Sequence, residues 1–349
     1  MLGTAGSAGG IGGAAPGLKW GSFTFLPTAH PGGRLSDVNG DGKSDLISLR
    51  NGLVVSLGNG DGSFAAGVGI GGPNMLPEIG DLNGDGTPDL AAVVGGASGN
   101  VSVLLNNGDG TFAKPVQYSG VDNASALTLA DLNGDGRTDI AVPNRASAGT
   151  VSVFLNAGGG AFAPPAQYGI RNTLAQRAAP ASQLAAGDLD GDGRPDLALI
   201  NFANYTVNIL LNDGNGAFAP GTSVATDIVV GTLAWVQVLD LKGQGRVDII
   251  VGSDNPGGRL GVFPNTGAAA FGAAVNYAVP AVNVLVGDID GDGRMDLVSG
   301  DLLLLNEGDG TFVEMPHFLP SEASALGDLN GDGKFDFLLV DGVLLSTGP

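Results

Sequence analysis

A nine-residue pattern, D-x-[DN]-G-D-G-x-x-D, occurs six times in this chain, at Asp37–Asp45, Asp81–Asp89, Asp131–Asp139, Asp188–Asp196, Asp288–Asp296 and Asp328–Asp336. Oxygen donors packed this densely suit a hard cation. Ca²⁺ takes about six to eight oxygens at about 2.3–2.6 Å in a flexible shell. Positions 1, 3, 5 and 9 of each copy carry carboxylates or amides, and position 7 can offer its backbone carbonyl. The first copy thus supplies Asp37, Asn39, Asp41, Lys43 and Asp45, and the second Asp81, Asn83, Asp85, Thr87 and Asp89. The third supplies Asp131, Asn133, Asp135, Arg137 and Asp139, and the next Asp188, Asp190, Asp192, Arg194 and Asp196. The remaining two supply Asp288, Asp290, Asp292, Arg294 and Asp296, and Asp328, Asn330, Asp332, Lys334 and Asp336. Gly at positions 4 and 6 permits the sharp turn that wraps these oxygens round one point.

Asp, Asn and Gly also favour plain turns. A turn needs one such residue, however, and three or four carboxylates in one loop repel each other without a cation. An EF-hand is excluded, because it needs a Glu at loop position 12. That position holds Ser48, Ala92, Val142, Leu199, Ser299 or Leu339. Mg²⁺ fits less well, since it demands rigid octahedral geometry and keeps its waters. The expectation is about six Ca²⁺ ions. A seventh copy, Asp240–Asp248, reads DLKGQGRVD, with Lys242 and Gln244 in place of oxygen-rich acids. Its ammonium can stand in for the cation by pairing locally, so no ion is expected there.

The elements that must position these loops follow from their spacing. The seven copies begin at Asp37, Asp81, Asp131, Asp188, Asp240, Asp288 and Asp328, a mean step of about 48 residues, in the range of four-stranded propeller blades. In the third repeat, Ala126–Leu132 leads into the loop, and Asp139–Pro143, Val151–Leu155 and Phe162–Tyr168 follow as short apolar runs between turns. The third-to-fourth turn recurs as LGNGDGSF (57–64), LNNGDGTF (105–112), LNAGGGAF (155–162), LNDGNGAF (211–218) and LNEGDGTF (305–312). The last repeat stops after a third strand near Val343–Leu345, while Trp20–His30 reads as a fourth strand without a repeat of its own. Pairing the two would close a ring and protect its edges; an open solenoid is the alternative. The fold class expected is all-β: a seven-bladed β-propeller of four-stranded antiparallel blades over 18–349, behind a flexible Gly/Ala-rich leader at 1–17.

These features resemble the FG-GAP/VCBS repeat family, which includes the propeller of integrin α chains. The resemblance covers about Trp20 to Pro349. It implies a seven-bladed propeller with Ca²⁺ in the loop between the first two strands of a blade. The first site would use Asp37, Asn39, Asp41, the Lys43 carbonyl and Asp45, and the other five their equivalents. The chain departs from the pattern at 240–248 and lacks the long embellishments of integrin chains.

Composition narrows the function. The chain has 349 residues, 35 Asp plus Glu against 15 Lys plus Arg, and a formal charge of −20. That balance argues against nucleic acid and anionic membrane surfaces, which select basic patches. More than half of the acidic residues lie in the six intact loops. Cys is absent, which excludes disulfides and thiolate chemistry. No apolar run approaches the roughly 18 residues of a membrane span. The two histidines, His30 and His317, fall in expected fourth strands, and no nucleophile elbow, phosphate loop or dinucleotide fingerprint is present.

In an antiparallel blade the Asp loops and the NGDG turns share one end. Ligand recognition is therefore expected on the opposite face, where Gly169–Gln183, Pro143–Gly149, Asn201–Thr206 and Gly252–Arg259 would bring together Arg145, Arg171, Arg177, Asn201, Asn204, Tyr205 and Arg259. The expected function is a secreted or cell-surface, monomeric binding module for carbohydrate or protein, lectin-like or adhesive, with calcium holding the scaffold. The alternatives are a spacer domain of a larger adhesin-like chain and a polysaccharide lyase.

Overall fold

The computed structural model describes residues 22–27, 33–49, 52–71, 77–94, 99–124, 126–144, 149–170, 183–201, 206–226, 233–253, 258–279, 284–315 and 318–347. Every regular element among them is a β-strand. Seven sheets of four antiparallel strands make a seven-bladed β-propeller. The expected leader at 1–17 lies outside the described residues. No helix among the described residues is long and apolar enough to cross a membrane.

Blades are numbered here by the order of their Asp loops. The chain groups into two compact units, Met1–Leu76 with Gly108–Gly110 and Asn283–Pro349, and Pro77–Asn107 with Thr111–Val282. The first unit holds three sheets. Blade one runs Gly33–Ser36, Asp45–Leu49, Leu53–Ser56 and Val68–Gly71, and blade six Val284–Gly287, Asp296–Ser299, Leu302–Asn306 and Phe312–Met315. Blade seven takes Ala323–Gly327, Asp336–Leu339 and Gly342–Thr347 from the end of the chain, and its fourth strand, Ser22–Pro27, from the beginning. The seam registers Ser22 opposite Thr347 and Leu26 opposite Val343. The orphan strand expected from the sequence thus fills the incomplete last blade.

The second unit holds four sheets. Blade two is Glu78–Gly80, Asp89–Val94, Gly99–Leu104 and Val116–Val121, and blade three Thr128–Ala130, Asp139–Asn144, Thr150–Phe154 and Ala166–Gly169. Blade four is Leu184–Gly187, Asp196–Asn201, Thr206–Asn212 and Phe218–Ala225; blade five is Leu233–Leu239, Asp248–Ser253, Arg259–Phe263 and Val275–Tyr277. In blades three and five a small extra hairpin, Asn156–Gly158 with Ala161–Phe162 or Asn265–Gly267 with Ala270–Phe271, forms the third-to-fourth turn.

Burial explains the composition of the strands. The second strand of blades three, four and five is buried along its whole length. Between its opening Asp and its closing Asn or Ser it reads as a short apolar run, as a strand covered on both faces does. Outer strands such as Val116–Val121 are mostly exposed and accordingly carry Gln, Tyr, Ser and Gly. Leu132, Ala141, Val153, Leu197 and Leu210 belong to one core cluster spanning blades three and four, and Ile200, Ile209, Val236, Ile249 and Val251 to one spanning blades four and five.

Candidate metal centre

Each Asp loop links the first strand of a blade to the second, and its last Asp is the first residue of that second strand. Five of the six intact loops share one wiring, seen clearly at Asp188–Asp196. Asp188 Oδ1 accepts the N–H groups of Gly191 (2.7 Å) and Asp192 (3.1 Å), and its Oδ2 accepts that of Gly193 at 2.8 Å. Asp190 Oδ1 accepts from Asp192 N–H, and Asp192 Oδ1 from Arg194 N–H. Gly191 and Gly193 hold φ of 88° and 86°, a region that side-chain-bearing residues rarely adopt. The same carboxylate-to-amide wiring recurs at Asp37, Asp131 and Asp328.

Position 9 has a second task. Asp45, Asp89, Asp139, Asp196, Asp296 and Asp336 are fully shielded from solvent. Asp196 Oδ2 accepts the N–H of Leu189, and its Oδ1 accepts the N–H of Asn212, which opens the third-to-fourth turn. This pair of bonds recurs at Asp45, Asp89, Asp139, Asp296 and Asp336. It ties the Asp loop to the neighbouring turn, so both lie at one end of the blade, as expected. Each oxygen still has a lone pair for a cation.

Burial and neighbouring carboxylates make these sites electrostatically costly when no cation is bound. Burial, opposed by the two backbone N–H groups, pushes the Asp196, Asp296 and Asp336 carboxyls up to about 6. Burial likewise raises Asp45, Asp89 and Asp139. Asp290 is raised by burial and then by the charges of Asp292 and Asp288. A divalent ion removes this penalty at its source.

Two loops bring three carboxylates to one point. The ligand atoms of Asp188, Asp190 and Asp196, and those of Asp288, Asp290 and Asp296, all lie within 4.8 Å of one another. Oxygens on a shell of about 2.4 Å radius cannot be further apart than about twice that distance, so both sets fit one Ca²⁺. At the second set the buried Asp288 Oδ1 has no hydrogen-bond partner. The donor set therefore fits the ion on chemistry, spacing and an unsatisfied oxygen. In the other four loops position 3 is Asn39, Asn83, Asn133 or Asn330, and its amide oxygen accepts the position-5 N–H.

Position 5 also pairs with the side chain at position 7. Asp135, Asp192 and Asp292 pair with the guanidinium groups of Arg137, Arg194 and Arg294, and Asp41 lies 3.7 Å from Lys43 Nζ. The arginines continue across to the third-to-fourth turn, with Nε donating to the carbonyls of Asn156, Asn212 and Asn306. At Asp85 the hydroxyl and N–H of Thr87 hold the carboxyl below its usual range. Position 7 thus contributes a side chain as well as the expected carbonyl.

The fifth loop departs from the wiring. Asp240 still accepts N–H groups from Lys242, Gln244 and Gly245. Asp248 Oδ1 accepts the Asn265 N–H at 2.7 Å, but its buried Oδ2 has no hydrogen-bond partner. Burial raises the Asp248 carboxyl, and Lys242 offsets this only through its field. The Lys242 charge thus acts on Asp248 in the direction expected of a stand-in cation.

The sequence did not single out the Asn that opens the third-to-fourth turn. Asn156, Asn212 and Asn265 each donate through Nδ2 to a carbonyl of their own loop and to Leu82, Leu132 or Leu189 of the preceding blade. Their Oδ1 accepts the N–H two residues on. The recurring L-N pair before the Gly cluster was the available signal. At position 2, Val38, Leu82, Leu132, Leu189, Leu241 and Leu329 are buried and anchor their loops in the core.

Of the residues expected on the opposite face, Arg145, Arg171, Arg177, Asn204 and Tyr205 lie outside the described residues, as do His30 and His317. Arg259 is exposed at the start of its strand. Asn201 is a correction to that surface: it is 3% exposed and paired opposite Thr206, so it is part of the blade interior. The side chain at the same place in blade three, Asn144, bonds the Thr150 and Ser152 hydroxyls.

A family model for the FG-GAP-like repeat matches residues 37–92, 81–142, 144–199, 188–251 and 240–299. Comparison with curated proteins found no match. Among solved structures the chain is similar to an Agrocybe aegerita lectin described as recognising non-reducing terminal N-acetylglucosamine, with 23% identity, 91% of this chain and 82% of that chain covered, and a TM-score of 0.58. It is similar to the BP39L lectin of Burkholderia pseudomallei at 17% identity, with coverage of 92% and 99% and a TM-score of 0.60. It is also similar to a periplasmic gluconolactonase of Pseudomonas aeruginosa at 14% identity, with coverage of 92% and 96% and a TM-score of 0.57. At these identities the likeness is one of fold, shared by binding proteins and enzymes.

Proposed function

The chain belongs to the FG-GAP-like repeat family, and from that premise we propose that it is a calcium-stabilised binding module that recognises carbohydrate outside the cell. The observation that carries the calcium reading is the convergence of Asp188, Asp190 and Asp196, and of Asp288, Asp290 and Asp296, with Asp288 Oδ1 buried and unpaired. In each intact loop positions 1, 3, 5 and 9 would hold the ion through side chains and position 7 through its carbonyl. The ion supplies charge compensation and a cross-link; it performs no reaction.

Carbohydrate is favoured as ligand by the lectins among proteins of the same fold. The acidic surface is unsuited to nucleic acid. An extracellular location is part of this reading, since calcium outside the cell is abundant enough to fill even weak sites of about 10⁻⁴–10⁻³ M. The module acts as a monomer in this reading. A glycan array probed with and without EDTA, alongside calcium titration calorimetry, tests it. Expected are about six bound ions and glycan binding lost on chelation. Calcium binding without any glycan signal would leave the scaffold reading and remove the lectin reading. Turnover of a lactone or an acidic polysaccharide would replace it with an enzyme.

A further inference from the structure

The junctions between successive blades of the second unit are closed by a repeated aromatic device. Tyr118, on the outer strand of blade two, meets Phe162 of blade three edge-on at 5.4 Å, and its hydroxyl donates to the Gly160 carbonyl at 3.1 Å. Tyr168 of blade three repeats both contacts on blade four, with Phe218 at 5.4 Å and the Gly216 carbonyl at 3.0 Å. Each Tyr stands six residues after the Phe of its own blade. Blade four has Val224 at that place, six residues after Phe218, and Val is smaller than its counterparts Tyr118, Tyr168 and Tyr277.

The receiving half of the device is nevertheless intact on blade five. Phe271 follows the hairpin as Phe162 does, and Ala269 occupies the place of Gly160. Ala268 and Ala269 hold φ of 51° and 53°, in the same left-handed region as Gly159 and Gly160 at 63° and 75°. The acceptor carbonyl is thus presented by the same turn. Thr222 Oγ1 donates to it at 2.9 Å, and a carbonyl can accept a second donor. Phe162 and Phe218 are buried, whereas Phe271 is only partly so. Where the tyrosyl ring would lie there is a cleft of about 420 Å³ lined by Thr222, Ser223, Val224, Phe263, Ala269 and Phe271.

We propose that this cleft between blades four and five is a binding site for a phenolic ring, the side chain of a tyrosine on a partner polypeptide. The incoming ring meets Phe271 edge-on, and its hydroxyl donates to the Ala269 carbonyl, as Tyr118 and Tyr168 do within the chain. The proposal is independent of glycan recognition and of the calcium loops. It does not require a charged group, and none lines the cleft.

The test is ligand-observed NMR and calorimetry on the full chain, with N-acetyl-L-tyrosinamide as probe. N-acetyl-L-phenylalaninamide and methyl glycosides serve as comparison ligands. Saturable tyrosinamide binding is expected, several-fold tighter than that of the phenylalanine amide, which lacks the hydroxyl. Val224→Tyr should fill the cleft from within and weaken binding at least ten-fold. Phe271→Ala, checked for its melting temperature, should weaken it as well. Absence of tyrosinamide binding would overturn the proposal, as would binding untouched by both substitutions. A methyl glycoside that displaces the tyrosinamide would reassign the cleft to saccharide. A glycan array that fails while tyrosinamide binds would reject only the lectin reading.

Discussion

The Asp loops of blades four and five occupy the same place in consecutive repeats and begin and end on the same carboxylates, Asp188 and Asp196 or Asp240 and Asp248. In the first, three carboxylates converge within 4.8 Å and every oxygen of Asp196 has a backbone donor. In the second, Lys242 and Gln244 remove the inner acids. Yet both loops keep the turn, the buried residue at position 2 and the link from position 9 to the next Asn. The contrast separates two roles that coincide elsewhere. The end residues and glycines shape the loop, and the inner acids, with position 1, supply the oxygens that the proposed calcium site requires.

Several measurements would break or sharpen this contrast. The largest effect is expected from chelation. With about six sites each contributing on the order of 2 kcal/mol at saturating calcium, EDTA should lower the melting temperature by about 10 °C or more. An unchanged melting temperature would end the structural reading of the ions. Next, Asp188→Ala should cost one bound ion and about 3 °C, whereas Asp240→Ala should leave the ion count unchanged. Equal ion loss from both variants would show that the fifth loop is a working site. In the reverse direction, Lys242→Asn with Gln244→Asp should add one ion, read by calorimetry or by metal analysis of the dialysed protein. The smallest effect is expected at position 7. Arg194→Ala removes a half-exposed pair with Asp192 and one bond to the Asn212 carbonyl, and should cost no more than about 1 kcal/mol. A loss of several kcal/mol would make the arginine a structural strut.

The blade count and the seam were legible in the sequence because each repeat carries its own markers: the Asp loop, the LN-Gly turn and the four apolar runs. Trp20–His30 could be read as the missing strand only because Pro349 follows a third strand without a fourth; Ser22–Pro27 fills that place. The clustering of carboxylates in each loop was legible as residue types. Its electrostatics were not, since burial of Asp196 depends on neighbours distant in sequence. The arginines at position 7 reach from the loop to the next turn, which no residue spacing shows. Nothing local reveals that the Asn212 amide reaches Leu132, in the preceding blade. The Val224 cleft is visible only when Val224 is compared with Tyr118 and Tyr168, whose partners lie one blade further on.

The seam has a consequence for the order in which the chain folds. The Asp loops close over a few residues and each blade's hairpins over a few tens, so their entropy cost is low and they can form quickly. Pairing Ser22 with Thr347 requires the two most distant described strands to meet. That closure cannot reward the chain until the intervening blades have organised. It is therefore expected to be the late step of folding and, for the same reason, the first part of the propeller to open under mechanical load.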